Sequence, residues 1–324
     1  MTEQAKQVLT GLKARQYEHD LDRKALSALE GTPGLEILVR KFNEYALEKI
    51  FRVQYTGSSI KVTPQNFPEV HNLYIEVCQI LDMPKIPELY IQWGYNINAF
   101  TAGVEKPFVM LHSGCIDLMT RDELAFIIGH ELGHVKSAHV LYHQMALVFP
   151  IFGEILGKAT LGVGELLSTG LQLALLHWKR MSEFTCDRAG LLACQNSDAA
   201  VSTFIKMAGV PMKYYNSFVV DDFIKQARGF EELNYDTMSK VAKAVTIMGQ
   251  THPWIVMRAA EIIKWIEGPV YNDIIANCAA AGGNRGSSGN ESSFCSACGN
   301  KLSSGARFCG ECGQKVEMQL KLDA

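Results

Sequence analysis

The sequence has no excess of basic residues and no segment that resembles a secretion signal. Its 31 Lys and Arg residues are outnumbered by 34 Asp and Glu residues, which gives a formal net charge of -3. This balance lacks the positive charge that neutralises phosphates, so nucleic acid is disfavoured as the main partner. The N-terminal segment 1–24 is charged and has no apolar core of signal-peptide length. We therefore expect a cytoplasmic protein.

The most apolar segment, residues 145–177, also lacks a run long enough for a transmembrane helix. A membrane-spanning helix needs about 20 consecutive apolar residues, whereas Glu154, Lys158 and Glu165 interrupt this segment. The favoured interpretation is a buried or groove-lining helical hairpin. The alternative is peripheral contact with a membrane surface, which would make the protein membrane-associated.

The nine cysteines do not form the pattern of a disulfide framework. Their number is odd, and Cys295, Cys298, Cys309 and Cys312 form two Cys-x-x-Cys pairs in one short segment. Two such pairs close a tetrahedral four-thiolate zinc site with no open position. We therefore predict a structural zinc ion in a zinc ribbon at residues 294–317, because so short a module cannot bury an adequate core.

The predicted ribbon is separated from the rest of the chain by residues 279–293, which are rich in Gly, Ser and Asn and indicate a flexible linker. Its predicted role is to bind a protein partner. Nucleic-acid binding through Lys301, Arg307 and Lys315 is a weaker alternative, because Glu311 lies among these three residues. Redox sensing through zinc release is a further alternative.

The pattern His-Glu-x-x-His occurs at His130, Glu131 and His134. Thr120 begins a Thr-x-x-Glu capping box, which predicts a helix that starts there and continues through the pattern toward His143. Residues four apart share one face of a helix, so both imidazoles can bind one metal ion. The glutamate lies close enough to act on a metal-bound water. The pattern thus predicts a zinc protease site with Glu131 as general base.

A catalytic zinc ion has three protein ligands and leaves its fourth position for water, so this site needs a third ligand. One class of zinc proteases places a histidine ten residues after the first, where this chain has Val140. That class is excluded. Glu183 is a candidate ligand, and Asp187, one turn later, would orient a ligand histidine by a hydrogen bond. An exposed acidic face is the alternative, and spacing alone leaves both open.

Four motifs resemble those of the HtpX-like family of zinc metallopeptidases, which includes the CAAX prenyl protease and the bacterial protease BepA. In chain order the motifs comprise Asn98, Ala99, Phe100, Thr101, Ala102 and Gly103; then HELGHVKSAH with His139; then Arg180, Glu183, Cys186 and Asp187; and lastly His252, Pro253 and Arg258. The chain departs from the family pattern at Cys186, where alanine is usual. This cysteine places a thiol near the metal.

The resemblance implies a zincin-type fold of the gluzincin kind, α+β and mainly helical with a small sheet. Three β-rich runs, at 88–93, 96–103 and 107–113, are consistent with such a sheet. The predicted metallopeptidase domain covers residues 61–278. A helical region at residues 1–60 precedes this domain and packs on it.

The resemblance also implies roles for the motif residues. Glu183 becomes the third zinc ligand, with Asp187 and His139 supporting the ligands. His252, helped by Arg180 or Arg258, would stabilise the oxyanion; the alternative is that His252 and Arg258 only hold a helix in place.

The segment Asn98–Gly103 would bind a polypeptide substrate as an added β-strand. The predicted function is zinc-dependent endopeptidase activity in protein quality control, with one catalytic and one structural zinc ion. The alternative is a silent or latent chaperone-like adaptor that recruits partners through the ribbon, with residues 145–177 plugging the groove. The intact Glu131 favours the enzyme, because a degenerate site usually loses its base or a ligand.

Overall fold

The computed structural model describes residues 6–32, 34–35, 38–39, 47–147, 163–232 and 252–283. The elements are α1 Asp20–Glu30, α2 Leu47–Thr56, β1 Ile60–Lys61, α3 Pro68–Ile80, β2 Glu88–Gln92, β3 Ala99–Ala102, β4 Phe108–His112, α4 Ser113–Leu118, α5 Arg121–Lys136, α6 Val163–Cys194, α7 Ser197–Met207, α8 Val220–Glu232, α9 Ile255–Glu267 and α10 Pro269–Gly283. The predicted α+β, mainly helical class is confirmed. The predicted zinc ribbon lies outside the described residues.

The four strands form one mixed sheet in the order β1-β2-β4-β3. β2 runs parallel to β4, whereas β1 and β3 are antiparallel to their neighbours. Each of the three predicted β-rich runs contains one of β2, β3 and β4. Strand β3, which carries the motif at Asn98–Gly103, lies at one edge of this sheet.

The helix that carries the His-Glu pattern, α5, crosses α6 at close range. A Cβ atom on Gly129 would lie 2.3 Å from the Cβ of Ala193, and one on Gly133 would lie 2.8 Å from the Cβ of Ala189. Because glycine has no side chain, the two backbones approach closely enough for the polar residues of both helices to meet. Gly133, the glycine of the His-Glu-Leu-Gly-His sequence, therefore permits the close approach of α5 to α6.

The prediction of one continuous helix from Thr120 toward His143 is wrong. Helix α5 ends at Lys136, and the chain becomes helical again only over residues 140–147. Ala138 adopts a left-handed φ of 57°. The amide of His139 donates to the carbonyl of His134 at 2.9 Å, which is the bond pattern of a Schellman turn. This turn brings His139 back toward His134.

The segment before the predicted metallopeptidase domain contributes to the main hydrophobic core. Leu9, Leu12 and Tyr17 are buried there with residues of α3, α5 and α6, and the amide of Leu9 donates to the carbonyl of Ile80 at 2.8 Å. Helix α1 packs along α6. The division of the chain into a helical region at residues 1–60 and a domain that begins at residue 61 stays a prediction.

The C-terminal boundary of the domain remains a prediction. Helix α10 continues to Gly283, five residues into the segment predicted as a linker. The middle of the apolar segment 145–177 lies outside the described residues. Among the helices that the structure describes, none combines the length and the apolar character needed to cross a membrane.

Candidate active site

Three potential ligand atoms converge where α5 crosses α6. Nε2 of His130 and Nε2 of His134 are 3.3 Å apart, and the Glu183 carboxylate faces both of them, with Oε2 3.4 Å from His130 and Oε1 3.6 Å from His134. Atoms bound about 2.1 Å from a tetrahedral zinc ion lie roughly 3.4 Å from one another. All three residues are buried. The donor set and its spacing fit a catalytic zinc ion.

The electrostatics around these three side chains favour a cation. Burial alone would raise the pKa of Glu183, but His252, His130 and Arg258 hold it well below its usual range. Burial lowers the pKa of His134 well below its ordinary value, which leaves that imidazole neutral with a lone pair to offer. A buried carboxylate that stays ionised beside a neutral imidazole is suited to binding a metal ion.

His130 is held in place by Asp187. Nδ1 of His130 lies 3.0 Å from Oδ1 of Asp187, so this nitrogen donates to the carboxylate, and Nε2 is the atom that faces Glu183. Arg258 donates twice to Asp187, at 2.6 and 2.9 Å. Although burial opposes ionisation of Asp187, Arg258 holds its pKa below the ordinary value. The guanidinium of Arg258 is therefore engaged in fixing this carboxylate.

The carboxylate of Glu131 lies beside the edge strand of the sheet. The Thr101 hydroxyl is 2.8 Å from Oε2 of Glu131 and 3.0 Å from its backbone carbonyl. Burial raises the pKa of Glu131 above its ordinary value, only partly offset by His130 and Thr101. A raised pKa brings a general base closer to neutral pH, where proton transfer is efficient. The sequence motif gave no sign of this hydrogen bond.

Two cavities border the candidate ligands His130 and Glu183, and the second of them also borders His134. One, of about 230 Å³, has an apolar part lined by Ile97, Phe126, Ile127, Met207 and Ile255. The other, of about 220 Å³, is lined by Phe51, Tyr55, His143, Leu147 and by strand β3. The two cavities share six lining residues, namely Asn98, Ala99, His130, Glu131, Glu183 and His252. Glu131 therefore borders both cavities, which together are called the groove.

The six residues predicted to bind substrate form the edge strand and its ends. Strand β3 pairs with β4 along one side, and Asn98 through Ala102 line the second cavity. Gly103 follows with a φ of +86°, and a Cβ there would lie 2.5 Å from the carbonyl oxygen of Lys106. This position therefore needs glycine to turn the chain from β3 into β4.

The three residues predicted to act on the oxyanion occupy different positions. His252 borders both cavities, its side chain is 51% exposed, and its Nε2 lies 4.0 Å from Glu183. Arg258 borders the first cavity but is committed to Asp187, and Arg180 is among the lining residues of neither. Lys179, a buried cation absent from the motifs, lines the second cavity. The sequence did not single out Lys179, because the family motif includes its neighbour Arg180 and not Lys179 itself.

On the side away from the groove, His134 meets a second group of polar residues. Its Nδ1 lies 3.3 Å from Nδ1 of His139, and the Cys186 thiol lies 3.5 Å from that same atom of His139. Nε2 of His139 lies 3.3 Å from the carboxylate of Asp22. Asp22 was missed by the sequence motifs because it lies on α1, far away along the chain.

Comparison with known proteins gives two family matches. Residues 64–266 match the model of peptidase family M48, and residues 294–316 match the model of a zinc-ribbon domain. No solved structure shows a significant match to the chain.

Several individual proteins are also similar to this chain. The plastoglobule-localized metallopeptidase 48, chloroplastic, of Arabidopsis thaliana is 30% identical over 267 residues, which cover 82% of this chain and 76% of that protein. A protease HtpX homolog of Thermoanaerobacter pseudethanolicus is 28% identical over 131 residues, or 40% of this chain and 43% of that protein. Protease HtpX homolog 2 of Methanosarcina mazei is 25% identical over 234 residues, or 64% of this chain and 76% of that protein.

Proposed function

The chain belongs to peptidase family M48, and from that membership and the geometry of the site we propose that it is a zinc-dependent endopeptidase with Glu131 as its general base. The observation that carries the proposal is the convergence of His130, His134 and Glu183, whose ligand atoms lie 3.3 to 3.6 Å apart in a buried pocket. These three residues would hold the catalytic zinc ion. When bound, zinc polarises the scissile carbonyl and activates a water molecule for attack.

The remaining chemistry belongs to the side chains around the groove. Glu131 takes the proton of the attacking water on its carboxylate and passes it to the leaving amine. The Thr101 hydroxyl at Oε2 fixes the orientation of this carboxylate. His252, which borders both cavities, donates a hydrogen bond to the oxyanion. Arg258 acts by orienting Asp187, and through it His130, and leaves the oxyanion to His252.

The substrate is a polypeptide that pairs with strand β3. A peptide lying along the edge formed by Asn98–Gly103 would bond main chain to main chain, which tolerates many side chains. Both cavities border Glu131. A chain that occupied both would extend in both directions from the scissile bond, as an endopeptidase requires. Tolerance of sequence suits removal of damaged proteins, which is the quality-control role that we propose.

A second, structural zinc ion would be held by Cys295, Cys298, Cys309 and Cys312. The match of this segment to a zinc-ribbon model supports the assignment. Because four thiolates leave no open position, this zinc ion would be structural. We propose that the ribbon binds a protein partner.

We place the protein in the cytoplasm, with peripheral membrane contact through residues 145–177. Leu147 and Leu173, two described leucines of that segment, are exposed. Exposed apolar side chains of this kind can insert at a membrane surface.

Digestion of casein and of short peptides by the full chain, with and without a chelator, tests the function. We expect cleavage that a chelator abolishes and that added zinc restores. Cleavage by a protein sample that metal analysis shows to contain no zinc would contradict the proposal. Zinc-loaded protein that cleaves neither substrate would favour the second candidate, a silent or latent adaptor that acts through its ribbon.

A further inference from the structure

The two histidines of the proposed zinc site are oriented by carboxylates in different parts of the chain. His130 meets Asp187 directly, with Nδ1 and Oδ1 3.0 Å apart. His134 has no such direct contact among the described residues. Its Nδ1 instead faces Nδ1 of His139 at 3.3 Å, and the other nitrogen of His139 lies 3.3 Å from Oδ2 of Asp22.

Asp22 lies in the first turn of α1 and is almost fully buried, with an exposed fraction of 1%. The Thr185 hydroxyl donates to its Oδ2 at 2.6 Å. Thr185 itself lies on α6, between Glu183 and Asp187. A buried carboxylate is costly unless hydrogen bonds satisfy it. His139 and Thr185 are the residues that can donate hydrogen bonds to Oδ2 of Asp22.

The protons of this chain of residues have one consistent order. Nε2 of His134 faces Glu183 and must offer a lone pair to bind zinc, so its proton is on Nδ1. That proton is then donated to Nδ1 of His139, which must be unprotonated. His139 therefore carries its proton on Nε2 and donates it to Asp22. Every donor in this sequence meets an acceptor.

The structure assigns to Asp22 the role of a positioning residue for the zinc ligand His134, acting through His139. This inference rests on the proposed function, since it presumes that His134 binds zinc. Helix α1, which carries Asp22, precedes the residues 64–266 that match the family model. The N-terminal helix therefore completes the metal site of the peptidase domain.

A competing use of the same residues is a second metal ion. His134, His139 and Cys186 lie close enough together to hold one. That ion would need a lone pair from Nδ1 of His134 while Nε2 binds the first ion, so the imidazole would lose both protons. The order of protons given above needs no such ionisation, and we assign the thiol of Cys186 a packing role.

The test is a double-mutant cycle on zinc affinity in the full chain. Zinc affinity is measured by competition with a chelator for the wild type, Asp22→Ala, His139→Ala and the double variant. Each single substitution should weaken zinc binding at the peptidase site about 10- to 100-fold. The double variant should bind zinc no more weakly than whichever single variant has the lower zinc affinity, because both residues act along one path. Losses that multiply, or an unchanged affinity in Asp22→Ala, would overturn the inference.

Matched controls separate positioning from general damage. Asp20→Ala removes an exposed carboxylate from the same first turn of α1 and should leave zinc affinity unchanged. If Asp22→Ala does not fold, Asp22→Asn keeps the shape of the side chain and should also weaken zinc binding. Cys186→Ala should keep the zinc count of the wild type; loss of one zinc equivalent would show a second ion instead.

One further variant distinguishes failure of this inference from failure of the proposed function. His134→Ala should abolish zinc binding at the peptidase site. If it does, and Asp22→Ala binds zinc as tightly as the wild type, only the role of Asp22 is wrong. If His134→Ala leaves the zinc content unchanged, the proposed site itself is wrong, and the inference falls with it.

Discussion

Ala138 shows how one residue shapes the candidate site. It holds a left-handed φ of 57° in the turn that brings His139 against His134. This conformation costs an alanine about 1–2 kcal/mol, whereas glycine adopts it freely but loses more entropy on folding. Ala138→Gly should therefore raise the free energy of unfolding by about 0.5–1 kcal/mol, measured by denaturant titration.

The control for this change is Ala208→Gly, at an exposed helix end with an ordinary right-handed φ of -71°. No strain is relieved there, so stability should stay the same or fall. A loss of stability in Ala138→Gly as large as that in Ala208→Gly would show that the turn is unstrained.

Glu183 is the ligand that spacing alone could not assign. Glu183→Ala should remove the zinc ion held by His130 and His134, because two imidazoles alone bind zinc weakly compared with three ligands. Metal analysis of the full chain should show one zinc ion per chain fewer than the wild type, with the ribbon zinc retained. An unchanged zinc content would contradict the ligand assignment.

At the scale of the element, the crossing of α5 and α6 determines whether the ligands meet. A methyl group at Gly133 would lie 2.8 Å from the Cβ of Ala189, so the helices would have to separate. Gly133→Ala should lower the free energy of unfolding by about 1–3 kcal/mol, as overpacking does, and should weaken zinc binding as well. Thermal unfolding and zinc titration measure the two effects.

Gly229→Ala in α8 is the matched control, since a Cβ there meets nothing within 4 Å. Alanine at such an exposed helical position should raise stability by about 0.5–1 kcal/mol. A Gly133→Ala protein that gains stability in the same way would show that the close approach of α5 to α6 is absent.

The start of α5 depends on a buried ion pair. Glu123 contacts Lys206 at 2.6 Å and Ser202 at 2.6 Å, and its Oε2 accepts the amide of Thr120 at 2.7 Å. Burial would raise the pKa of Glu123, but Lys206, Ser202 and Thr120 outweigh it and lower the pKa. The stability from this carboxylate is therefore present above the pKa of an unfolded glutamate, about 4.3. It is lost as the pH falls through the lower folded-state pKa.

Glu123→Gln should destabilise the protein at pH 7 by about 3–5 kcal/mol, because Lys206 is left buried without its carboxylate. The difference from the wild type should shrink as the pH falls below about 4. Unfolding measured across this pH range checks the expectation, and a difference independent of pH would contradict it.

At the scale of the whole molecule, local signals in the sequence predicted more than long-range ones. The spacing of His130, Glu131 and His134 indicated a helix, and the β-rich runs around β2 and β4 indicated a sheet, because both signals depend on near neighbours. Glu183 became a candidate ligand only through the motif that contains it. Asp22 was not predicted, since no pattern joins it to a histidine more than 100 residues away.

Two further features also required the three-dimensional structure. The capping box located the start of α5 correctly, but a left-handed alanine at position 138 is rare enough that composition does not predict it. The hydrogen bonds from Arg258 to Asp187 were likewise not predicted, because an arginine in a motif can donate to an oxyanion as well as to a carboxylate. Both features depend on packing between distant segments.

The central claim is that Glu131 acts as general base beside a zinc ion held by His130, His134 and Glu183. The most direct measurement is kcat/KM for a fluorogenic peptide, compared between the wild type and Glu131→Gln at equal, measured zinc content. Glutamine keeps the size of the side chain and an oxygen for Thr101, but it cannot take a proton. We predict unchanged zinc content and a rate lower by about 10²- to 10⁴-fold. Cleavage by Glu131→Gln at the wild-type rate would contradict the account.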